Sequence, residues 1–318
     1  MSVQHHHVEV NGLRLHVAEQ GEGPLVLLLH GFPESWYSWR HQFAVLADAG
    51  YRVVAPDQRG YARSDRAPST EEYSLPHLVG DVTALIGALG AEEAVVVGHD
   101  WGAVVAWTTA LLRPDLVRAV AGLSVPPVPP VGMPSVTSSR RTYGDGYYQA
   151  YFQEPGRADA ELSADPAATV RRILVGASGA HEPRPWIVPE GARLLDTLPE
   201  PEELPAWLTA EDVEVFAADH AAPDAFTGPL DWYRNIDRNQ GLMAAFQGLR
   251  VEVPALYVVG DRDMVTTLEG VPELRAVLSG IAPKLHADVT LPGCGHWTQQ
   301  ERPDEVNRAL LDFLTAVQ

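Results

Sequence analysis

Apolar positions along this chain fall into short, dense runs in its first and last parts and into looser helical rhythms between them. From Val8 to Ala18 apolar and polar residues alternate, and the pattern breaks at Gly21 to Gly23, which predicts an antiparallel pair of strands. Leu25 to Leu29, Arg52 to Ala55, Val95 to Val97 and Val117 to Leu123 are short apolar runs of a different kind. Runs like these belong to parallel strands covered on both faces. Helical stretches over Trp39 to Ala49, Leu75 to Leu89 and Ala103 to Leu112 separate them at βαβ spacing. That spacing predicts right-handed crossovers and a doubly wound α/β sheet.

The rhythm changes where Pro126, Pro127, Pro129, Pro130 and Pro134 mark an exit from the sheet. Helical periodicity without a buried strand then runs to about Gln240, with a Pro- and Glu-rich loop at Leu198 to Pro205. The strand pattern returns at Val253 to Gly260 and Leu285 to Leu291. We therefore expect a core of residues 1–126 and 241–318, interrupted once by a helical cap over 127–240. A cap inserted after the sixth strand lies over the C-terminal ends of the strands, where doubly wound sheets bind ligands. Trp36, Trp186, Trp207 and Phe226 suggest that the pocket there is apolar.

Composition narrows the partners. The 318 residues are 46% hydrophobic, enough for a sizeable core. Lys plus Arg number 23 against 42 Asp plus Glu, a net charge of -19. That balance disfavours a nucleic-acid groove or an anionic membrane surface and leaves a neutral or cationic small molecule. Lys284 is the only lysine and no GxxxxGK[ST] occurs, so Schiff-base chemistry and a phosphate-binding lysine loop have little support. With Cys294 as sole cysteine there is no intramolecular disulfide, and the N-terminus lacks a signal-peptide pattern; a reducing cytoplasm is expected. No apolar run approaches the length of a membrane helix. His5, His6 and His7 are expected to form a solvated tail rather than a metal site.

Candidate chemistry centres on Gly98-His99-Asp100-Trp101-Gly102, which follows an apolar run and precedes a helical one. Flanking glycines let the chain bend sharply and expose the middle side chain above the sheet, over a helix N-terminus. Such an elbow usually carries serine. Asp100 in its place points to alkyl transfer: a carboxylate attacks a strained or polarised carbon, and water must then cleave the resulting ester. The competing reading is a helix N-cap.

Gly260-Asp261-Arg262-Asp263 and Gly293-Cys294-Gly295-His296 each follow a core strand, giving the chain order nucleophile, acid, histidine. His296 is the expected general base for water, and Asp263 its orienting acid; Asp261 competes for the acid role. His30-Gly31-Phe32-Pro33 closes an earlier strand, where a backbone N–H normally completes an oxyanion hole with the residue after the nucleophile. The two donors are then Phe32 and Trp101. Phe32 before Pro33 also makes a cis peptide plausible. Cys294 is expected to be packed rather than nucleophilic.

Together these blocks resemble the soluble epoxide hydrolases of the α/β-hydrolase superfamily, over essentially the whole chain. The resemblance rests on His30-Gly31-Phe32-Pro33-Glu34-Ser35-Trp36, Gly98-His99-Asp100-Trp101-Gly102 and Gly293-Cys294-Gly295-His296-Trp297. It extends to Tyr148-Gln149-Ala150-Tyr151-Phe152-Gln153-Glu154-Pro155-Gly156 and Trp232-Tyr233-Arg234-Asn235. It implies that Tyr148 and Tyr233 hold an epoxide oxygen, that the substrate is a small epoxide, and that neither cofactor nor metal is needed. Two phenols suit this, because one can bind the oxygen and one donate a proton without adding charge. Helical spacing alone leaves Tyr147 and Tyr151 open as alternatives. Ala62 and Ala103 depart from the resemblance, standing where glycine is commoner. A haloalkane or haloacid dehalogenase, using the same Asp nucleophile, and a non-catalytic receptor are the rival readings.

Overall fold

The structure, a computed structural model, describes residues 2–130, 133 and 135–318. Pro134, one of the prolines read as a breaker, lies outside the described residues. Eight strands form one sheet: β1 (Gln4–Val10), β2 (Leu13–Gln20), β3 (Leu25–Leu29), β4 (Arg52–Pro56), β5 (Ala94–His99), β6 (Val117–Leu123), β7 (Ala255–Gly260) and β8 (Leu285–Leu291). They lie side by side in the order β1-β2-β4-β3-β5-β6-β7-β8. β2 is antiparallel to both β1 and β4, and all remaining pairs are parallel. β3 and β5 are buried along their whole length, which is why their sequences are continuous rather than alternating.

Helices cover both faces. On one side pack α2 (Leu75–Ala88) and α3 (Trp101–Leu112); on the other pack α1 (Phe43–Asp48) and the C-terminal helix Pro303–Ala316. The C-terminal helix sets Val306, Leu310, Phe313 and Leu314 on the sheet, a helical stripe worth about 1.5–3 kcal/mol for each large side chain removed from water.

Three local expectations shift. The helix expected over Trp39 to Ala49 divides into a 3-10 turn, Trp36–Trp39, and α1, because Ser35 caps the turn and the Trp36 N–H is tied to Asp57 Oδ1 at 2.9 Å. The strand expected from Val253 starts at Ala255, after Pro254, which has no N–H for a ladder. His5, His6 and His7 are not a free tail but part of β1, paired with Ala18, Val17 and His16. They stay exposed, with His5 stacked on His16 at 5.2 Å and edge-on to Trp36 at 4.8 Å.

Between β6 and β7 the described residues contain helices and no strand. They are α4 (Val136–Tyr143), α5 (Tyr148–Tyr151), α6 (Arg157–Ala164), α7 (Pro166–Gly176), α8 (Ala210–Asp219), α9 (Thr227–Arg234) and α10 (Ile236–Met243). The seam expected at residues 240 and 241 falls inside α10. This insertion has its own apolar cluster, built on Phe152, Leu162, Ile173, Phe216 and Phe226. Phe32, Met264 and Trp297, from loops at the C-terminal ends of β3, β7 and β8, reach into it, so the insertion sits on the ligand-binding edge of the sheet. No helix among the described residues is long and apolar enough to cross a membrane.

Candidate active site

The turn between β5 and α3 holds Asp100 at φ 53° and ψ -120°, a conformation that costs a non-glycine residue on the order of 1–3 kcal/mol. Close packing explains the flanking glycines. A Cβ on Gly98 would lie 2.1 Å from the Gly102 carbonyl oxygen, and one on Gly102 would lie 2.0 Å from that of Leu29. Both neighbours are backbone, so the sharp bend exists only with glycine on each side. The Asp100 side chain makes no cap to α3. Instead the Phe32 N–H donates to its Oδ1 at 2.9 Å, while Oδ2 lies 3.4 Å from His296 Nε2. Trp101 opens α3, so its N–H is one that a helix leaves without an intrahelical acceptor. The Phe32-Pro33 peptide is cis.

His296 Nδ1 lies 3.0 Å from Asp263 Oδ1, and Asp263 is fully buried. The structure thus brings together Asp100, His296 and Asp263. Asp261 is used otherwise: its Oδ1 accepts the Gly293 N–H at 2.7 Å and shapes the loop that carries the histidine. Burial alone would lower the His296 pKa, but the carboxylates of Asp263 and Asp100 outweigh it and raise it well above the ordinary imidazole value. Burial pushes Asp100 the other way, yet His296 and the Phe32 N–H hold its pKa below the usual carboxylate value.

Tyr148, at the start of α5, and Tyr233, in α9, line one cavity with Asp100 and Trp101. The two phenol rings are 6.0 Å apart, centre to centre, and Tyr233 meets Phe32 and Trp101 edge-on at 5.4 and 5.2 Å. Burial raises the pKa of both phenols, which keeps them neutral donors. The cavity measures about 160 Å³, and its walls are otherwise mostly apolar, with Val104, Val125, Val128 and Leu268 among them. None of Trp36, Trp186, Trp207 and Phe226 lines it; Trp186 backs Tyr148 at 5.7 Å and Phe226 packs in the insertion's cluster. Tyr147 is turned into a stack with Tyr143 at 4.7 Å, and the Tyr151 hydroxyl donates to Glu161; neither lines the cavity. Cys294 is buried against the C-terminal helix, and burial pushes its thiol pKa up, which suppresses the thiolate.

Sequence reasoning missed the groups that hold these side chains. Ser124 Oγ lies 3.0 Å from His296 Nδ1. Glu34 and His99 are both fully buried and joined at 2.9 Å; His99 Nε2 faces the His296 carbonyl at 2.7 Å, and Gln300 donates to Glu34 at 2.6 Å. Glu301 accepts the N–H groups of Gly179, Gly295 and Trp297 at 2.9, 3.1 and 3.1 Å, clamping the histidine loop to the insertion. Glu34 and His99 sit inside the motifs, and a charged residue amid apolar strand-end sequence was the one available signal. Ala62 has φ 45°, a left-handed conformation that glycine adopts at less cost. Among the described residues no group of three His, Cys, Asp or Glu is placed to hold a metal ion.

Sheet order, elbow and the aspartate-histidine-aspartate set define a hydrolase-type α/β scaffold, and residues 24–169 match the family described as alpha/beta hydrolase fold. The chain is 46% identical to epoxide hydrolase A of Mycobacterium tuberculosis over 317 residues, covering 98% of this chain and 97% of that one. It is 42% identical to epoxide hydrolase 1 of Siraitia grosvenorii, covering 98% of each. Its fold superimposes on the structure of an epoxide hydrolase from an endophytic Streptomyces with a TM-score of 0.94 at 45% identity, covering 99% and 96% of the two chains. The chain belongs to the epoxide hydrolase family of the α/β-hydrolase fold.

Proposed function

We propose that this protein adds water to an epoxide and releases a vicinal diol, by way of an ester on Asp100. One observation carries the reading: Asp100 presents one oxygen to the Phe32 N–H and the other to His296, in a cavity shared with the phenols of Tyr148 and Tyr233. Asp100 Oδ2 attacks a ring carbon, the ring C–O bond breaks, and Tyr148 or Tyr233 gives the alkoxide its proton. Esterification removes the Asp100 charge that helps to keep His296 protonated. The imidazole then sheds a proton, balancing the one the tyrosine gave, and becomes a base.

His296 Nε2 next takes a proton from water, and the hydroxide attacks the Asp100 carboxyl carbon. Charge gathers on Oδ1 between the N–H groups of Phe32 and Trp101, while Asp263 stabilises the imidazolium. The intermediate collapses by breaking the bond from the carboxyl carbon to Oδ2, and the proton of the added hydroxyl passes to that departing oxygen, which releases the diol and restores the Asp100 carboxylate beside protonated His296. In this reading residues 127–240 act as the cap that brings the phenols to the core and shuts out bulk water. The two phenols favour an alkoxide over a halide as leaving group, and a receptor would need none of these groups. The site calls for no metal or cofactor, and a single buried cysteine suits a cytoplasmic setting.

The test is the origin of the new oxygen. With enzyme in excess in heavy-oxygen water, the first diol is expected to be unlabelled at its new hydroxyl, and the peptide containing Asp100 to gain the label. A labelled first diol with an unlabelled peptide would mean that water attacks the epoxide directly.

A further inference from the structure

The wall of the cavity carries a polar side chain that the reaction does not use. Asn239, in α10, is buried with 2% of its surface exposed, and it lines the same cavity as Asp100, Tyr148 and Tyr233. Its Oδ1 accepts the N–H of Leu75 at 2.8 Å. That N–H opens α2 and cannot be satisfied within the helix, so it fixes which way round the carboxamide sits. Nδ2 is thereby aimed elsewhere. It has no hydrogen-bond partner among the described residues and keeps some accessible surface, and this cavity is the space that Asn239 lines, so the geometry points Nδ2 to it.

An unpaired donor on an apolar wall costs binding free energy for a purely hydrocarbon ligand and contributes it for a ligand that brings an acceptor. We infer that Asn239 is a specificity residue, and that the preferred substrates are epoxides carrying a hydrogen-bond acceptor, a hydroxyl or carbonyl oxygen, on the chain attached to the ring. Tyr233 and Asn239 are six residues apart on abutting helices, about 9 Å along the axis if they were continuous. Ring oxygen and acceptor are therefore recognised at separate points, and one spacing between them is favoured. This rests on the epoxide hydrolase reading, since it assigns the phenols to the ring oxygen.

The experiment uses the full chain and a ladder of terminal epoxides of increasing length, each bearing a terminal hydroxyl or methyl ester and paired with the hydrocarbon epoxide of equal length. At one rung the native protein is expected to favour the acceptor-bearing partner by roughly three- to tenfold in kcat/KM, with most of the difference in KM. Asn239→Asp keeps the acceptor for Leu75 but removes the donor, and Asn239→Leu removes both without adding charge. In each the ratio at that rung is expected to fall to about one. Because both substrates are compared on one protein, a general loss of activity cancels. A native enzyme that turns over the hydrocarbon epoxides with no preference at any rung overturns the inference but spares the proposed function; failure to open any epoxide overturns the proposed function itself. A preference that survives in either variant also overturns the assignment to Asn239, and if neither variant folds the native ratio alone decides.

Discussion

Gly31→Ala asks whether Asp100 works only where the Phe32 N–H can hold it. A Cβ on Gly31 would lie 2.4 Å from both Cβ and Oδ1 of Asp100 and 2.8 Å from its Cγ. Carbon atoms in contact sit about 3.5–4.0 Å apart, so something must retreat by roughly 1 Å. Asp100 has little freedom to do so, because its backbone is wedged between Gly98 and Gly102 in close backbone contact with Gly102 and Leu29. The loop carrying Phe32 moves instead, and its 2.9 Å bond to Oδ1 lengthens beyond hydrogen-bond range. Losing one oxyanion donor costs on the order of 100- to 1000-fold in rate, and a 1 Å misplacement alone can cost about 100-fold. The fold should tolerate the change: overpacking of this kind costs about 1–3 kcal/mol, a few degrees to about ten in Tm for a domain this large. Rapid-quench single turnovers would separate ester formation from ester breakdown, with thermal unfolding measured alongside. We expect a folded protein whose ester breakdown is slowed by about 100-fold. A Gly31→Ala protein with native Tm and kcat within about threefold of native would refute the reasoning.

Tyr148→Phe and Tyr233→Phe should each slow alkylation by roughly 10- to 100-fold, and the double variant should nearly abolish it, whereas Tyr147→Phe should be nearly silent. Equal damage from Tyr147→Phe in single turnovers would mean that the wrong phenol has been assigned. Breakdown of the alkyl-enzyme should slow as pH falls, because only neutral His296 can take a proton from water; equal rates at acid and mildly alkaline pH would count against that role, and His296→Gln should trap the ester for mass spectrometry. The sign for stability is opposite. With its pKa raised in the folded free protein, His296 contributes stability that is complete below its unfolded value, near pH 6.5, and is lost as pH rises through the folded value; denaturant titrations of the native protein and His296→Gln across that range should converge at high pH.

Much of this architecture is legible along the chain because its signals are local. Continuous apolar runs such as Leu25 to Leu29, short and bounded by glycine and proline, fit strands buried on both faces, and Gly98 and Gly102 mark a bend that no other residue permits. Chain order and post-strand position were enough to nominate Asp100, His296 and Asp263 before any distance was known. The errors were also local in origin. Periodicity could not see that Ser35 and Asp57 would break a helix near Trp39, nor that His5 to His7 would find a strand partner in β2. Distances among near neighbours came only with the folded chain: Tyr148 lines the cavity while Tyr147 and Tyr151 do not, and Asp263 meets His296 while Asp261 holds the Gly293 N–H, because a helix face or loop turns one way and not the other. Tertiary structure alone decided the supports. Glu34 meets His99 across 65 positions, Ser124 meets His296 across 172, and Leu75 orients Asn239 across 164. A hydrogen bond between elements so far apart leaves no periodicity in the sequence, because it depends on how strands and helices pack and not on the residues beside it in the chain.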